Sequence, residues 1–195
     1  MVPLLFALSL FLSPVKHTSP DAVQHAVQDF GPQTVATAQP ASVRSDITAV
    51  GADQLTAEET ALFTLINEDR VANGLSPVVL DAGLIQIARA HSKDMCERKY
   101  FDHYAPSPGP VTPMDRYLAF LGHRPEYAMV GENIYFRSLT DVPEQTQNQA
   151  ETAFMNSPGH RANILQAKFN KVGVGFYRSA NGAWWVTQMF LRDRP

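Results

Sequence analysis

The C-terminal segment constrains the fold of this chain more than any other part of it. Two runs rich in β-branched and aromatic residues, KVGVGFYRS and WWVTQMFLR, flank the four residues Ala180 to Ala183. Asn181-Gly182 at their centre is a favoured pair for a two-residue hairpin turn. The pattern predicts an antiparallel hairpin, and the sheet that contains it needs other elements to cover its faces.

Two amphipathic helices are predicted in the first half of the ordered sequence. Thr56 and Glu59 form a capping-box pattern, and the helix that follows should stop at Asn73-Gly74. Asp81 is the expected N-cap of the second helix. Its buried stripe consists of Leu84, Ile87, Ala88, His91 and Met95. The simplest interpretation of His91 is a hydrogen-bonded histidine of the core.

A third, shorter helix should begin at Thr112-Pro113 and end by Gly122, because proline is well tolerated at the first helical position. Asp141 is the expected cap of a fourth helix, which runs to the Ser157-Pro158 break. Between them, MVGENIYF is a plausible strand. The predicted fold class is α+β, a three-layer α-β-α sandwich with a mainly antiparallel central sheet.

The first 55 residues have a different character from the rest. Residues 1–12, MVPLLFALSLFL, form an apolar run of signal-peptide length that is too short to span a bilayer alone. Three interpretations stay open: a signal peptide or apolar anchor, a signal whose true start lies upstream, or simply an apolar terminus. Residues 13–55 are rich in Pro, Ala, Gln and Thr, which predicts a flexible tether, with a marginal helix over residues 21–30. The folded domain is then residues 56–195.

Charge and cysteine content exclude several classes of function. The net charge is −3 and there is no run of basic residues, so nucleic-acid binding is not expected. A single cysteine, Cys96, excludes a disulfide framework within the chain. We expect a secreted or cell-envelope protein that contacts the membrane only through its N-terminal segment, if that segment is not cleaved.

One carboxylate stands in an unusual place. Glu132 lies in the middle of the apolar strand, and a buried carboxylate is costly unless it is paired. His103 and His160 are the candidate partners, since both lie beside segments broken by glycine or proline. Two imidazoles and a carboxylate suit a divalent metal ion, zinc above all. The same three residues could equally form a hydrogen-bonded polar pocket without metal. Arg116 and Arg137 are expected to be solvated or structural.

The ordered sequence resembles the CAP superfamily, which is named for cysteine-rich secretory proteins, antigen 5 and plant pathogenesis-related proteins. The resemblance is strongest to the bacterial, secreted, cysteine-poor branch. It is carried, in order, by NEDRVANGLSPVVLDAGLIQIARAHSKDM, YFDHYAP, VGENIYF, FMNSPGHRANIL, FNKVGVGFY and WWVTQMF. These segments cover about residues 57–191.

The resemblance implies an α-β-α sandwich with an open central cleft, lined by two histidines and two acidic residues that can hold a divalent cation. His103, Glu132 and His160 match three of these four positions. The fourth position departs from the family pattern, because the residue three positions after Phe154 is Ser157. Glu151 is the nearest acidic residue, one turn on the other side of Phe154.

Three functions are compatible with these residues. The first is an exported domain that binds a cation or a small extracellular or cell-wall ligand without catalysis, as the resemblance implies for most members. The second is a hydrolase of peptidoglycan or peptide, with Glu132 as general base or acid. The third is an envelope interaction module. The absence of G-x-S-x-G and H-E-x-x-H patterns favours a binder over an enzyme.

The break at residues 157–159 has a predicted role in this site. Pro158 cannot continue the hydrogen-bond ladder of the preceding helix. Gly159 is expected to adopt a conformation closed to other residues, so that His160 turns towards the cleft while Ile164 and Leu165 return to the core.

Overall fold

A computed structural model describes residues 28–30, 55–138 and 146–194. The helices are α1 (Ala57–Ala72), α2 (Ala82–Glu97), α3 (Pro113–Leu121), α4 (Thr146–Asn156) and α5 (Pro158–Ile164). The strands are β1 (Gln28–Phe30), β2 (Val79–Leu80), β3 (Ala128–Arg137), β4 (Lys171–Arg178) and β5 (Trp184–Arg192). The apolar residues 1–12, most of the predicted tether and the predicted cap Asp141 lie outside the described residues.

Local sequence signals determine where the helices begin. Thr56 and Glu59 form the complete capping box of α1, and Thr112 and Asp115 form that of α3. The Asp81 side chain accepts a hydrogen bond from the backbone N–H of Leu84 and caps α2. These starts agree with the predicted ones. None of the described helices is both long and apolar enough to cross a bilayer.

The five strands form one sheet in the order β1-β3-β5-β4-β2. The predicted hairpin is present: β4 and β5 pair antiparallel, and Gly182 in the turn has φ 87°. β3 pairs antiparallel with β5 and with β1. The described part of the predicted 21–30 helix, residues 28–30, is therefore extended rather than helical.

The sheet is mixed, which corrects the prediction of a mainly antiparallel one. β2 runs parallel to β4, with Val79 opposite Lys171 and Leu80 opposite Val172. β2 was not predicted because its two residues are too few to show the alternation by which a strand is recognised. It comes immediately before α2, and α2 packs closely against β4.

The alternating side chains of the strands build two cores on opposite faces of the sheet. Met129 and Phe190 pack with residues of α1, α4 and α5, including Leu62, Phe154 and Ile164. Their neighbours Ala128, Val130, Met189 and Leu191 pack with residues of α2 and α3, including Leu84, Ala88 and Met114. This is a three-layer arrangement, in which the sheet separates α1, α4 and α5 from α2 and α3.

Two glycines of β4 let α2 lie directly on the sheet. A Cβ atom at Gly173 would stand 2.2 Å from the backbone carbonyl carbon of Leu84, and one at Gly175 would stand 2.2 Å from the backbone nitrogen of Arg89. No side chain fits in either place. The close approach fixes the position of α2, and with it the position of His91.

Candidate functional site

The candidate site forms where three segments that are distant in sequence meet at β3. His103 comes from the loop between α2 and α3, Glu132 from the middle of β3 and His160 from α5. The rings of His103 and His160 lie 6.4 Å apart, measured between their centroids. His103 Nδ1 lies 2.9 Å from Glu132 Oε1. The structure therefore brings together the three residues that the sequence singled out.

Glu132 is 0% exposed and both of its carboxylate oxygens are engaged. His103 contacts Oε1, and Arg116 Nη2 donates to Oε2 at 2.6 Å. Burial by itself raises the pKa of Glu132. The Arg116 charge, the neighbouring His91 and the hydrogen bond with His103 act in the opposite direction and lower the pKa to about 2. Glu132 is consequently an ionised, paired carboxylate at neutral pH.

Arg116, which was expected from the sequence to be solvated or structural, is the counter-charge of Glu132. It is buried on α3, where it donates to the backbone carbonyl oxygens of Val111 at 3.0 Å and His103 at 3.1 Å as well as to Glu132. It thus ties the loop that carries His103 to β3. A signal was available, since a buried carboxylate requires a counter-charge and Arg116 lies between the apolar residues Met114 and Tyr117 of its helix.

The orientation of the His103 ring follows from its contact with Glu132. A carboxylate only accepts hydrogen bonds, so Nδ1 of His103 is the donor. In the neutral ring Nε2 then carries the lone pair and is the atom available to a ligand. This carboxylate-to-imidazole contact is the usual means by which proteins fix the tautomer of a metal-binding histidine.

His160 is partly buried and neutral at pH 7. Burial and the neighbouring His103 lower its pKa to about 4. Its ring stands edge-on to Phe154, with 5.2 Å between centroids. The break before it works as predicted at Pro158, where α4 has ended and α5 begins. The prediction for Gly159 is wrong, because Gly159 has no left-handed backbone and is an ordinary residue of the first turn of α5.

A chain of buried amides attaches α5 to the sheet. Asn133 donates to the backbone carbonyl oxygen of His160 at 3.1 Å and to the side chain of Gln188 at 2.9 Å. Asn163 donates to the backbone carbonyl oxygen of Glu132 at 3.1 Å and to the Asn133 side chain at 2.9 Å. Asn133 therefore binds the backbone of α5. These bonds hold His160 in place.

The two remaining cleft candidates, Glu151 and Ser157, lie on α4 and at the N-terminus of α5. Glu151 is buried and accepts a hydrogen bond from Gln188 Nε2 at 2.7 Å. Burial and the nearby Asp69 raise the pKa of Glu151 to about 8, against the opposing effect of Gln188. Ser157 is the N-cap residue of α5, and its side chain makes no capping hydrogen bond.

Strand alternation separates the two glutamates. Glu132 faces α2 and α3, where it meets His91 and Arg116. Its neighbour Asn133 faces the other side and leads through Gln188 to Glu151. The two carboxyl groups therefore have different partners, on opposite faces of the sheet.

His91 is a buried residue of the core, as predicted, and it also borders the site. Its Nε2 atom lies 3.6 Å from Glu132 Oε1, which is longer than a hydrogen bond. Its Nδ1 atom lies 3.4 Å from the hydroxyl oxygen of Tyr100. Burial lowers the pKa of His91 to about 4, although Glu132 acts in the opposite direction, so the ring is neutral at pH 7.

The groups at this site that could bind a metal ion are two imidazoles and one carboxylate. Within residues 55–138 and 146–194, no three His, Cys, Asp or Glu side chains form a group that could hold one. Glu132 is committed to Arg116 and His103, which leaves the His103 and His160 imidazoles as the available ligands. The rings of these two histidines lie 6.4 Å apart, measured between their centroids.

A mixed sheet covered by helices on both faces, with two histidines meeting at one strand, defines a class of small α-β-α sandwich domains. Residues 63–190 match the family described as CAP: Cysteine-rich secretory protein family. The match covers most of the chain, and the chain belongs to this family, as the resemblance indicated.

Relatives with a bacterial origin support this assignment. The chain is 36% identical over 160 residues to the protein YkwD of Bacillus subtilis (strain 168), which covers 82% of this chain and 57% of YkwD. It is 31% identical to the structure of an extracellular protein containing a SCP domain from Bacillus anthracis str. Ames, with a TM-score of 0.57, covering 69% of this chain and 40% of that one. The chain thus spans 57% of the length of YkwD and 40% of the length of the Bacillus anthracis chain.

The fold also recurs at low sequence identity. The crystal structure of NaASP2 with Zn²⁺ matches with a TM-score of 0.50 and 14% identity, covering 72% of this chain and 82% of that one. At this identity the comparison shows the shared fold only.

Proposed function

We propose that this chain is an exported, non-catalytic binding domain in which the imidazoles of His103 and His160 bind a divalent cation, with zinc as the best match. The observation that carries the proposal is the 2.9 Å contact between His103 Nδ1 and Glu132 Oε1, which leaves Nε2 of His103 as the free nitrogen. The neighbouring His160 supplies a second imidazole, and its lowered pKa keeps that ring neutral at pH 7.

The chemistry of the two rings suits this role. Only an unprotonated imidazole nitrogen binds a metal ion, and the lowered pKa of His160 keeps that ring unprotonated at neutral pH. Zinc accepts imidazole nitrogens readily and tolerates solvent at its remaining positions. Glu132 would act from behind His103 by fixing its tautomer. With two protein ligands we expect weak binding, in the micromolar range or above.

The relatives support the cation and the location in general terms. NaASP2, which has the same fold, was crystallised with Zn²⁺. The Bacillus anthracis relative is described as extracellular. Together with the apolar run at residues 1–12, this supports an extracellular or envelope-associated protein.

The same geometry argues against the hydrolase alternative. A general base needs a pKa near the working pH and a free oxygen, whereas the pKa of Glu132 is about 2 and both of its oxygens are engaged. Glu151 is engaged by Gln188 and has no contact with Glu132 among those found in the described residues, which gives no support to a glycosidase pair.

Calorimetric titration with Zn²⁺ tests the proposal. The double variant His103→Ala/His160→Ala should lose the binding that the wild type shows, while its circular dichroism spectrum stays unchanged. His123→Ala is the matched control, because His123 is an exposed histidine remote in sequence from both. Equal zinc affinity in the wild type and the double variant would overturn the proposal. Loss of zinc binding in the control alone would contradict it as well.

A further inference from the structure

A cavity lies at the C-terminal end of α2, apart from the candidate cation site. It has a volume of about 470 Å³ and is formed by the end of α2 and the residues that follow it, the end of β3 and the turn between β4 and β5. This volume is within the range of pockets that hold small organic ligands, about 300–1,000 Å³. The described residues that line it include none of His103, Glu132 and His160.

Three aromatic side chains form the apolar wall of the cavity. Phe136 and Trp185 stand opposite each other on β3 and β5 with 4.8 Å between their ring centroids, and Phe101 lies 6.0 Å from Phe136. All three residues are half-buried, so a molecule in the cavity can contact them. A further ring adds to such a cluster through tilted or edge-on contacts, which stabilise by more than the burial of apolar area alone. The wall therefore favours a ligand with an aromatic ring.

Lys99 supplies the charge of the cavity. Among the described residues that line it, Lys99 is the only one charged at neutral pH, and its exposed side chain forms no salt bridge with another described residue. The acidic residues nearest to it on α2 already have partners. Asp94 pairs with Arg98 at 3.4 Å, and Glu97 pairs with Lys93 at 3.7 Å. An anionic ligand can thus pair with Lys99 without displacing an existing partner.

Asn181 adds a hydrogen-bond donor from the β4–β5 turn. Its side-chain oxygen accepts from the Ser179 hydroxyl and, at 3.4 Å, from the backbone N–H of Ala183. These contacts hold the oxygen end of the amide against the turn and leave its Nδ2 group, which donates to no described residue. An amide nitrogen of this kind can only donate. Lys99 and Asn181 therefore both offer N–H donors, and one of them is charged.

A carboxylate satisfies both donors, because it accepts hydrogen bonds at two oxygens and forms its strongest bonds with charged groups. A ligand cation would instead be repelled by Lys99. From this geometry we infer that the cavity binds a small aromatic carboxylate, with its ring against the wall of Phe101, Phe136 and Trp185 and its carboxylate at Lys99 and Asn181. The inference concerns a different cavity from the proposed cation site and does not depend on it.

Four probes test the inference by heteronuclear NMR titration of the full chain: 3-phenylpropanoate, its neutral amide 3-phenylpropanamide, the cation 3-phenylpropylammonium, and hexanoate, an aliphatic acid of similar hydrophobicity. We expect 3-phenylpropanoate to shift the indole N–H resonance of Trp185 and the amide resonances of residues 96–101 and 179–182. The neutral amide should bind about three- to fivefold more weakly, as for the loss of an exposed ion pair, and the cation more weakly still. Hexanoate should bind at least about twofold more weakly, because it makes no aromatic contact.

Three outcomes of this titration would each overturn the inference. Equal affinity for the carboxylate and the neutral amide would show that charge has no part in the binding. Equal affinity for 3-phenylpropanoate and hexanoate would show that the ring has none. No shift at Trp185 and at residues 96–101 would show that the cavity is not the binding site.

Lys99 can be removed without weakening the end of α2. It has φ 57°, and the backbone N–H of Tyr100 donates to the carbonyl oxygen of Met95 at 3.0 Å, as in helices that end on a left-handed residue. Glycine has no Cβ to strain in this conformation. Lys99→Gly should therefore melt at or above the wild-type temperature and bind 3-phenylpropanoate about three- to fivefold more weakly. Lys168→Gln, an exposed position before β4 and so at the opposite end of that strand, is the control and should bind as the wild type does. Wild-type affinity in Lys99→Gly would contradict the charge contact.

The two tryptophans of the chain provide a matched pair of variants for the ring contact. Trp184 and Trp185 point to opposite faces of β5, and Trp184 packs edge-on against Phe176 without lining the cavity. Trp185→Leu should weaken the binding of 3-phenylpropanoate at least about threefold, whereas Trp184→Leu should leave it unchanged. An equal loss in the two variants, or none in Trp185→Leu, would contradict the assignment. If Trp185→Leu does not fold, the probe series and Lys99→Gly still decide the question.

Two further measurements separate this cavity from the cation site. His103→Ala/His160→Ala should bind 3-phenylpropanoate as the wild type does even though it loses zinc. Lys99→Gly should bind zinc with wild-type affinity. Failure of one proposal is therefore distinguishable from failure of the other, and loss of 3-phenylpropanoate binding in the double histidine variant would contradict the placement of the carboxylate in a separate cavity.

Discussion

Nδ1 of His103 and Oε1 of Glu132 lie 2.9 Å apart across 29 residues of sequence, and Arg116 closes the contact from the other side by bonding both the Glu132 carboxylate and the His103 backbone. The carboxylate is thus the centre of a charged group that joins α3, β3 and the loop between α2 and α3. Stability and ligand geometry depend on the same three side chains.

Replacing Glu132 by Gln should destabilise the fold strongly. The change leaves the guanidinium of Arg116 buried without its counter-charge, and breaking one partner of a buried ion pair costs about 3–5 kcal/mol. Urea denaturation should show this as a lower free energy of unfolding. Glu126→Gln, at an exposed position, should change it by less than about 0.5 kcal/mol. A wild-type value for Glu132→Gln would contradict the pairing described here.

Replacing Glu151 by Gln should alter how stability depends on pH. The pKa of Glu151 is raised in the folded state to about 8 from an ordinary value of 4.5, so its stabilising contribution is complete below pH 4.5 and is lost as the pH rises through 8. The wild type should therefore lose more stability between pH 5 and pH 8 than Glu151→Gln. We expect a difference above about 1 kcal/mol, the equivalent of one pKa unit. Parallel curves would show that Glu151 ionises normally.

His160 should contribute to acid sensitivity in the opposite direction. Its pKa is lowered in the folded state to about 4 from an ordinary value of 6.5, so folding favours the neutral ring. The stability from this group is present above pH 6.5 and is lost as the pH falls through 4. His160→Phe removes the titration, so the loss of stability between pH 6.5 and 4 should be smaller than in the wild type. His123→Phe, an exposed position, should leave the slope unchanged.

Gly173→Ala should be severely destabilising. Its Cβ would stand 2.2 Å from backbone atoms of α2, which cannot move aside as a flexible side chain can. Forcing the helix from the sheet should lower the free energy of unfolding by more than about 3 kcal/mol, which is the upper end of the usual cost of overpacking a core. Thermal unfolding followed by circular dichroism measures the effect. A melting temperature within a few degrees of the wild type would mean that α2 is not fixed by this contact.

The helices and the hairpin could be predicted because their signals are local. Thr56, Asp81 and Thr112 each cap a helix through a residue three positions further on, and the Asn181-Gly182 turn joins adjacent strands. Such contacts depend on short stretches of sequence, which the surrounding fold does little to change.

Features that depend on contacts between residues distant in sequence were harder to predict. The sequence indicates that Glu132 needs a counter-charge, but the packing of α3 against β3 shows that Arg116 supplies it. The different partners of Glu132 and Glu151 likewise follow from the faces of the sheet. The role expected of Gly159 was wrong because Pro158 begins a new helix, in which a glycine needs no special backbone. The juxtaposition of His103 and His160 was expected because a buried carboxylate requires partners and because the sequence resembles a known family.

Consecutive residues of β3 face different surroundings: Glu132 belongs to an ionic group and Asn133 to a network of neutral amides. The backbone of β3 therefore separates the ion pair of Glu132 from the amide network of Asn133. A substitution of Asn133 leaves the ion pair of Glu132 and Arg116 in place, but it removes a hydrogen bond that holds His160. Inserting one residue in β3 before Glu132, by contrast, would turn Glu132 to the opposite face of the sheet. Its carboxylate would then lie among neutral amides without the Arg116 counter-charge.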